Sequence, residues 1–354
     1  MEPIQNLRKK CAEAPLYELL GEAQAVSWKH FGKKVELYYT YYQDRVTKHQ
    51  FTKDAKERYK EEFIKKIKNS LNPATPILGL SGFNCELRCE HCKGINLMGM
   101  HNVSTTDKLY EAVKLFHSQG TKGILLSAGS RKDGTTLIGP EFNDVIMKIK
   151  KEFGLYIGLH AGYVSRDRVR EIKGLGVDSI LIDVIGDEET LLDVYHLKIP
   201  LSIIEDVVRF TIEEGIDVIP HICIGLNFCK IKGEFDAIDM LAKYPIKYVT
   251  YIILEPTPGT PMADLDPPDP AEVLRVLAYS RFRLPRVLHS LGCIRPIGRY
   301  GEQIESLALQ VGCNRIAGIS SELTLVKCDE AGIEFNLASY CCMIGNGMFD
   351  HLKI

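Results

Sequence analysis

The chain has 354 residues, 45% of them hydrophobic and 25% charged, close to the averages of soluble globular proteins; disorder and a disulfide-stapled miniprotein are excluded. Forty-four Lys and Arg against 46 Asp and Glu give a formal charge of −2, which offers no general attraction for nucleic acid or an anionic membrane. No run of about 18 uncharged apolar residues is available to span a bilayer, and Met1-Glu2-Pro3-Ile4 lacks the basic-then-apolar order of a secretory signal. In such a chain, read as cytoplasmic, the 11 cysteines are expected to bind metal, catalyse or pack rather than form disulfides.

Residues 1–74 are predicted to form a helical N-terminal extension. Leu7, Cys11, Leu16, Leu19 and Leu20 recur near helical spacing, and the Lys/Glu-rich stretch 53–69 carries a narrow apolar stripe. Tyr38, Tyr39, Tyr41 and Tyr42 are read as helix-core packing. Asn72-Pro73-Ala74-Thr75-Pro76 stops the pattern and marks a boundary. From Ile77 onward, strand-like runs at 77–81, 123–128, 155–160, 178–184, 216–223, 247–254, 286–293 and, weakly, 314–317 alternate with helical patterns at 105–119, 140–152, 165–174, 201–214, 234–243, 269–282 and 301–311.

Continuous apolar strands separated by single helices indicate a parallel sheet covered on both faces. Eight such units in about 240 residues match the size of a (β/α)8 TIM-type barrel, complete or nearly so, assigned here to residues 75–320. A doubly wound sheet is the alternative, but no G-x-G-x-x-G follows the first strand. Residues 321–354 form a C-terminal tail containing Cys328, Cys341 and Cys342.

The strongest chemical signal is Cys85-Glu86-Leu87-Arg88-Cys89-Glu90-His91-Cys92, a C-x3-C-x2-C spacing just beyond the first barrel strand, at the end where barrels carry their chemistry. Three thiolates on one loop can grip three irons of a cubic cluster and leave the fourth open to an outside ligand. Zinc is a second reading, with His91 adjacent, but the usual paired arrangement of ligands is missing. Three merely packed cysteines are a third.

These residues, placed after the first strand of a barrel, resemble the radical S-adenosylmethionine superfamily, with His91 at a position that is usually aromatic. The resemblance implies that Cys85, Cys89 and Cys92 hold a [4Fe–4S] cluster whose open iron chelates S-adenosylmethionine, and that reductive cleavage yields a 5′-deoxyadenosyl radical. It also implies binding roles at successive strand ends. Ser127-Ala128-Gly129-Ser130 stands where the family commonly has Gly-Gly-Glu, so Ser127 and backbone carbonyls around Gly129 are expected at the methionine amino group. Asp183 is expected at a ribose or substrate hydroxyl, and His160 is a second candidate. Ile222 and Gly225 resemble the segment whose backbone meets adenine.

Glu255-Pro256-Thr257-Pro258-Gly259-Thr260-Pro261-Met262 is similar to a Pro-Gly-rich loop of biotin synthase-like enzymes. Leu291–Arg299 and Gly312–Gly318 resemble the biotin- and thiamin-synthesis-associated region, so the resemblance spans residues 77–320. Within that branch, the two-component archaeal-type lipoyl synthases fit the surplus cysteines. Cys293, Cys313 and Cys341 are expected to converge as ligands of a second iron–sulfur cluster that serves as sulfur source, against the reading of all three as small buried residues. Cys11, Cys223, Cys229 and Cys328 are read as packing. Arg295 and Arg299 are read either as barrel-facing carboxylate binders or as structural salt-bridge donors.

The implied function is sulfur insertion into an unactivated C–H bond, with an octanoylated carrier protein as substrate, a ferredoxin-like low-potential donor as partner and a related second subunit. A cofactor-maturation or rearrangement enzyme without sulfur insertion is the alternative, and a non-catalytic iron–sulfur or zinc protein is the reading from another class.

Overall fold

The computed structural model describes residues 3–38, 75–319, 323–338 and 341–343; the predicted helix at 53–69, the boundary at 72–74 and Tyr39, Tyr41 and Tyr42 lie outside them. One parallel sheet organises the chain. Eight of its strands follow one another in sequence order around the fold: β2 (Ile77–Gly79), β4 (Gly123–Ser127), β5 (Tyr156–His160), β6 (Ser179–Asp183), β7 (Asp217–Ile224), β8 (Tyr248–Ile253), β9 (Leu288–Leu291) and β10 (Arg315–Ala317). They are the strands that the apolar runs predict. Leu125, Leu181, Ile219, Tyr248, Leu288 and Ala317, from strands far apart in the order, share one buried cluster, which only a sheet curled into a barrel allows.

Three further strands extend the sheet. β3 (His101–Asn102) pairs with β2, β1 (Lys34–Tyr38) pairs with β10, and β11 (Glu334–Ala338) pairs with β1. Among the described residues β3 and β11 end the sheet with no ladder joining them. Residues 34–38, read from sequence as part of a helical extension, are therefore a strand. Val35, Leu37 and Tyr38 are buried, and Tyr38 packs in the lumen cluster, not in a helix. Glu36 supplies the reason: its carboxylate pairs with buried Arg315 at 3.3 Å, and Arg315 stacks over Tyr248, 5.2 Å from the ring centroid.

The connecting helices start where capping residues stop competing conformations. Thr105 and Ser165 accept N–H groups of Lys108 and Arg168 at the starts of Thr106–Ser118 and Arg166–Gly174, contacts worth about 1 kcal/mol each. Asp269 caps Pro270–Arg283, with Pro270 in the first turn where its missing N–H costs nothing. The N-terminal helices Ile4–Glu13 and Leu16–Phe31 dock on that same helix. Arg275 donates to the carbonyls of Cys11 (2.6 Å) and Ala14 (3.0 Å), satisfying orphan groups at the first helix's C-terminal end. No helix among the described residues is long and apolar enough to cross a membrane.

Three described residues of the tail enter the barrel. Beyond the helix Leu323–Glu330 and β11, Cys341, Cys342 and Met343 are buried in the lumen cluster. Glycine makes the room: a Cβ at Gly158 would stand 2.6 Å from Met343 Sδ, and one at Gly123 3.4 Å from its Cε. Ser179 Oγ donates to the Met343 carbonyl at 3.2 Å.

Candidate active site

The cysteine loop leaves β2 and folds back over the barrel's mouth. Two isolated left-handed residues, Arg88 (φ 48°) and Lys93 (φ 45°), reverse its course between and after the cysteines; such conformations are costly for residues with a Cβ and cluster at functional sites. Arg88 Nη1 donates to the Lys93 carbonyl at 2.8 Å, closing the coil. The Cys85 sulfur accepts the Ser130 N–H at 3.4 Å and the Cys92 sulfur accepts the Gly94 N–H at 3.5 Å. Cys89 and Cys92 are close enough to share a proton, which holds the Cys92 thiol well below its ordinary range and pushes Cys89 up.

Gly129 sits against this loop so tightly that a Cβ there would lie 1.9 Å from the Asn84 carbonyl oxygen and 2.7 Å from Cys85 Cα. That contact explains the glycine physically. The backbone around it is already engaged: the Ser127 carbonyl accepts from Leu80, the Gly129 carbonyl from Leu137, and the Gly129 N–H donates to Ser81 Oγ at 2.8 Å. The Ser127 hydroxyl turns into the barrel, 3.1 Å from His160 Nδ1.

The loop after β6 clamps the cysteine loop from the other side. The Glu90 N–H donates to the Val194 carbonyl at 2.9 Å, His196 Nε2 lies 2.9 Å from the Glu90 carboxylate, and the Tyr195 ring packs 5.4 Å from His91. Tyr195 donates to Asp183 Oδ2 at 3.1 Å, and Tyr163 to the Asp183 carbonyl at 3.2 Å. Asp183 itself remains exposed at its strand end. The sequence pattern predicts no element for residues 185–200, where a short helix, Glu188–Asp193, stands, and neither tyrosine carries a sequence signal for this role.

Further round, Gly225 (φ 80°) leaves β7 where a Cβ would meet Pro268 Cγ at 2.2 Å. Its N–H donates to buried Glu234 at 2.8 Å. Ile222 turns its side chain away from the lumen into the outer core.

Below this rim the lumen carries polar groups above its apolar cluster. His160 and His221 meet edge to face with ring centroids 6.0 Å apart. Burial keeps both neutral, and the neighbouring His221 helps to lower His160 to about 4. Cys342 Sγ stands 3.7 Å from His221 Nε2 and 3.8 Å from Cys341 Sγ, and Cys293 packs against the same cluster. Strand alternation puts residues 219, 221 and 223 on one face, and that signal was available for His221.

Cys313 does not join them. It lies in the outer core beside Arg281 and Tyr251, because the helix before β10 packs on the barrel's outside; the expected convergence of Cys313 with Cys293 and Cys341 does not occur, and Cys342 lies beside Cys341 in the lumen cluster instead. Arg295 is structural, buried against Glu305 at 2.6 Å and donating to the Ala317 and Gly318 carbonyls.

Among the described residues no three Cys, His, Asp or Glu side chains stand close enough to share one metal ion. Soft thiol donors are the ligands that iron–sulfur groups take. At the rim the fit has a specific basis: three thiols on a coiled loop, two of them receiving backbone N–H groups, over a glycine that lets the loop pack close.

The profile of the Radical SAM superfamily matches residues 80–237. Biotin synthase of Paracidovorax citrulli is 28% identical over 168 residues, 47% of this chain and 46% of that enzyme. Biotin synthase of Halorhodospira halophila is 24% identical over 248 residues, 66% of this chain and 71% of that one. The chain thus spans about half the length of the first of these relatives. Among solved structures, methylornithine synthase superposes with a TM-score of 0.63 at 14% identity, covering 94% of both chains, and the [FeFe]-hydrogenase maturase HydG with 0.58 at 12% identity, covering 89% of this chain and 66% of that one. At such identities the likeness is one of fold.

Proposed function

We propose that this chain is a radical S-adenosylmethionine enzyme of the biotin synthase-like branch, a reading supported by the superfamily profile over residues 80–237 and by the biotin synthases, and that it inserts sulfur into an unactivated C–H bond of an octanoylated carrier protein. A [4Fe–4S] cluster and S-adenosylmethionine are its cofactors, and Cys85, Cys89 and Cys92 are the residues that would hold the cluster. When bound and reduced, the pair supplies a 5′-deoxyadenosyl radical strong enough to take a hydrogen atom from an aliphatic carbon.

The protein's own work is placement. Asp183, oriented by Tyr195, offers a carboxylate at the mouth for a hydroxyl. Ser127, His160 and His221 run as a polar line down the lumen and hold no net charge near neutrality. The barrel wall keeps water from a reactive carbon. Electrons would come from a low-potential ferredoxin-like donor, with a related second chain as partner.

The observation that carries sulfur insertion is the floor of the lumen, where Cys293, Cys341 and Cys342 gather below the rim trio. Two of the three ride on a tail that the sheet would not need for closure. They fit a second iron–sulfur group: soft donors from two chain segments, buried, on a lumen that a substrate carbon enters from above.

The test is anaerobic incubation of the reconstituted protein with octanoylated carrier proteins and S-adenosylmethionine, followed by intact mass measurement. Gain of sulfur on the acyl chain is the expected result. Cys342→Ala should stop that gain while sparing 5′-deoxyadenosine formation. Cleavage with no sulfur gain on any acylated carrier would place the chain with rearrangement or maturation chemistry instead.

A further inference from the structure

The Cys293–Cys341–Cys342 floor carries one nitrogen donor whose hydrogen bonding is already arranged for a metal. His221 Nδ1 lies 3.0 Å from the Ile219 carbonyl. A carbonyl can only accept, so Nδ1 bears the ring proton and Nε2 is left with a free lone pair. That lone pair faces Cys342 Sγ at 3.7 Å. Metal-ligating histidines characteristically donate their other ring N–H to a carbonyl or carboxylate, which fixes both tautomer and ring orientation.

The two lumen histidines differ in this respect. His160 places Nδ1 on the Ser127 hydroxyl, a group that donates or accepts, so its tautomer is not set by the backbone. His221 is anchored on its own strand, β7, and its ring is buried. Thr250, in register with His221 on neighbouring β8, stands beside Cys342.

We propose that His221 Nε2 is the nitrogen ligand of the lumen centre, completing a set with Cys293, Cys341 and Cys342. The assignment rests on the second-centre reading above. It makes the floor chemically unlike the rim. A neutral imidazole in place of a thiolate lowers the negative charge on the group and raises its reduction potential.

The experiment uses the full chain with Cys85, Cys89 and Cys92 all changed to Ala, so that only the floor can load, reconstituted anaerobically with iron and sulfide. Pulsed electron paramagnetic resonance of the reduced protein should show a strongly coupled nitrogen. His221→Gln should abolish that coupling, and His221→Cys should keep the iron while moving the potential to more negative values. If iron is retained and neither the nitrogen signal nor the potential responds to either substitution, His221 is no ligand and the second centre stands without it. If the triple variant binds no iron while the unmodified chain does, the second centre itself falls, and this assignment with it.

Discussion

The cysteines at the rim and those on the floor are brought together by opposite means. Cys85, Cys89 and Cys92 lie within eight consecutive residues, and their loop needs only two left-handed turns and a glycine beneath it to face them inward. Cys293 and the Cys341–Cys342 pair meet only because the sheet curls and the tail enters the lumen. A site built from one loop can form almost wherever that loop is held. A site built from distant segments exists only when the whole barrel does, and it is lost to any change that expels the tail.

Cys89→Ala gives the largest expected effect and tests the rim half of the contrast. Removing one thiolate should lower 5′-deoxyadenosine formation at least a hundredfold, beyond the 10–100-fold usual for losing a supporting partner. Thermal unfolding should change little, because the loop's backbone contacts remain. Cleavage that persists in Cys89→Ala protein would contradict the assignment of the cluster.

The same contrast explains what could be read from the sequence. The eight barrel strands were legible as continuous apolar runs, and the rim trio as a spacing, because both are local. Residues 34–38 were not. Lys34-Val35-Glu36-Leu37-Tyr38 alternates as a strand does, but it follows a helix in a charged, tyrosine-rich region, and its place is decided by Arg315, 279 residues away. The misplacement of Cys313 has a similar origin. Its position at a helix end before a strand gives no information about which face of the sheet the helix covers. Tyr195 and Tyr163 serve Asp183 from loops whose course only packing determines.

Gly129→Ala tests how strictly local the rim is. The added methyl would lie 1.9 Å from the Asn84 oxygen and 2.7 Å from Cys85 Cβ, and backbone on both sides must shift. Overpacking of this kind costs about 1–3 kcal/mol. Iron bound at the rim should fall well before the fold is lost, and iron bound at the floor should be unaffected. Equal loss from both sites would mean that the rim is no more independent than the floor.

Glu234→Gln gives the smallest effect and probes what braces the rim on the far side. Glu234 is buried, accepts the Gly225 N–H at 2.8 Å, and burial pushes its carboxyl up to about 7. A folded-state value above the ordinary carboxylate value means that the folded chain holds the proton more tightly than the unfolded one. The group's contribution is therefore complete below about pH 4.5 and is lost as pH rises through about 7. Glutamine keeps the oxygen that Gly225 needs and has no proton to lose. Between about pH 5 and pH 8 the unmodified chain should lose about 2 kcal/mol that the variant does not, read as the difference between their urea-denaturation midpoints across that range. Parallel pH profiles would show that the carboxyl is ionised in the folded chain and that the loop after β7 is held by geometry rather than by a retained proton.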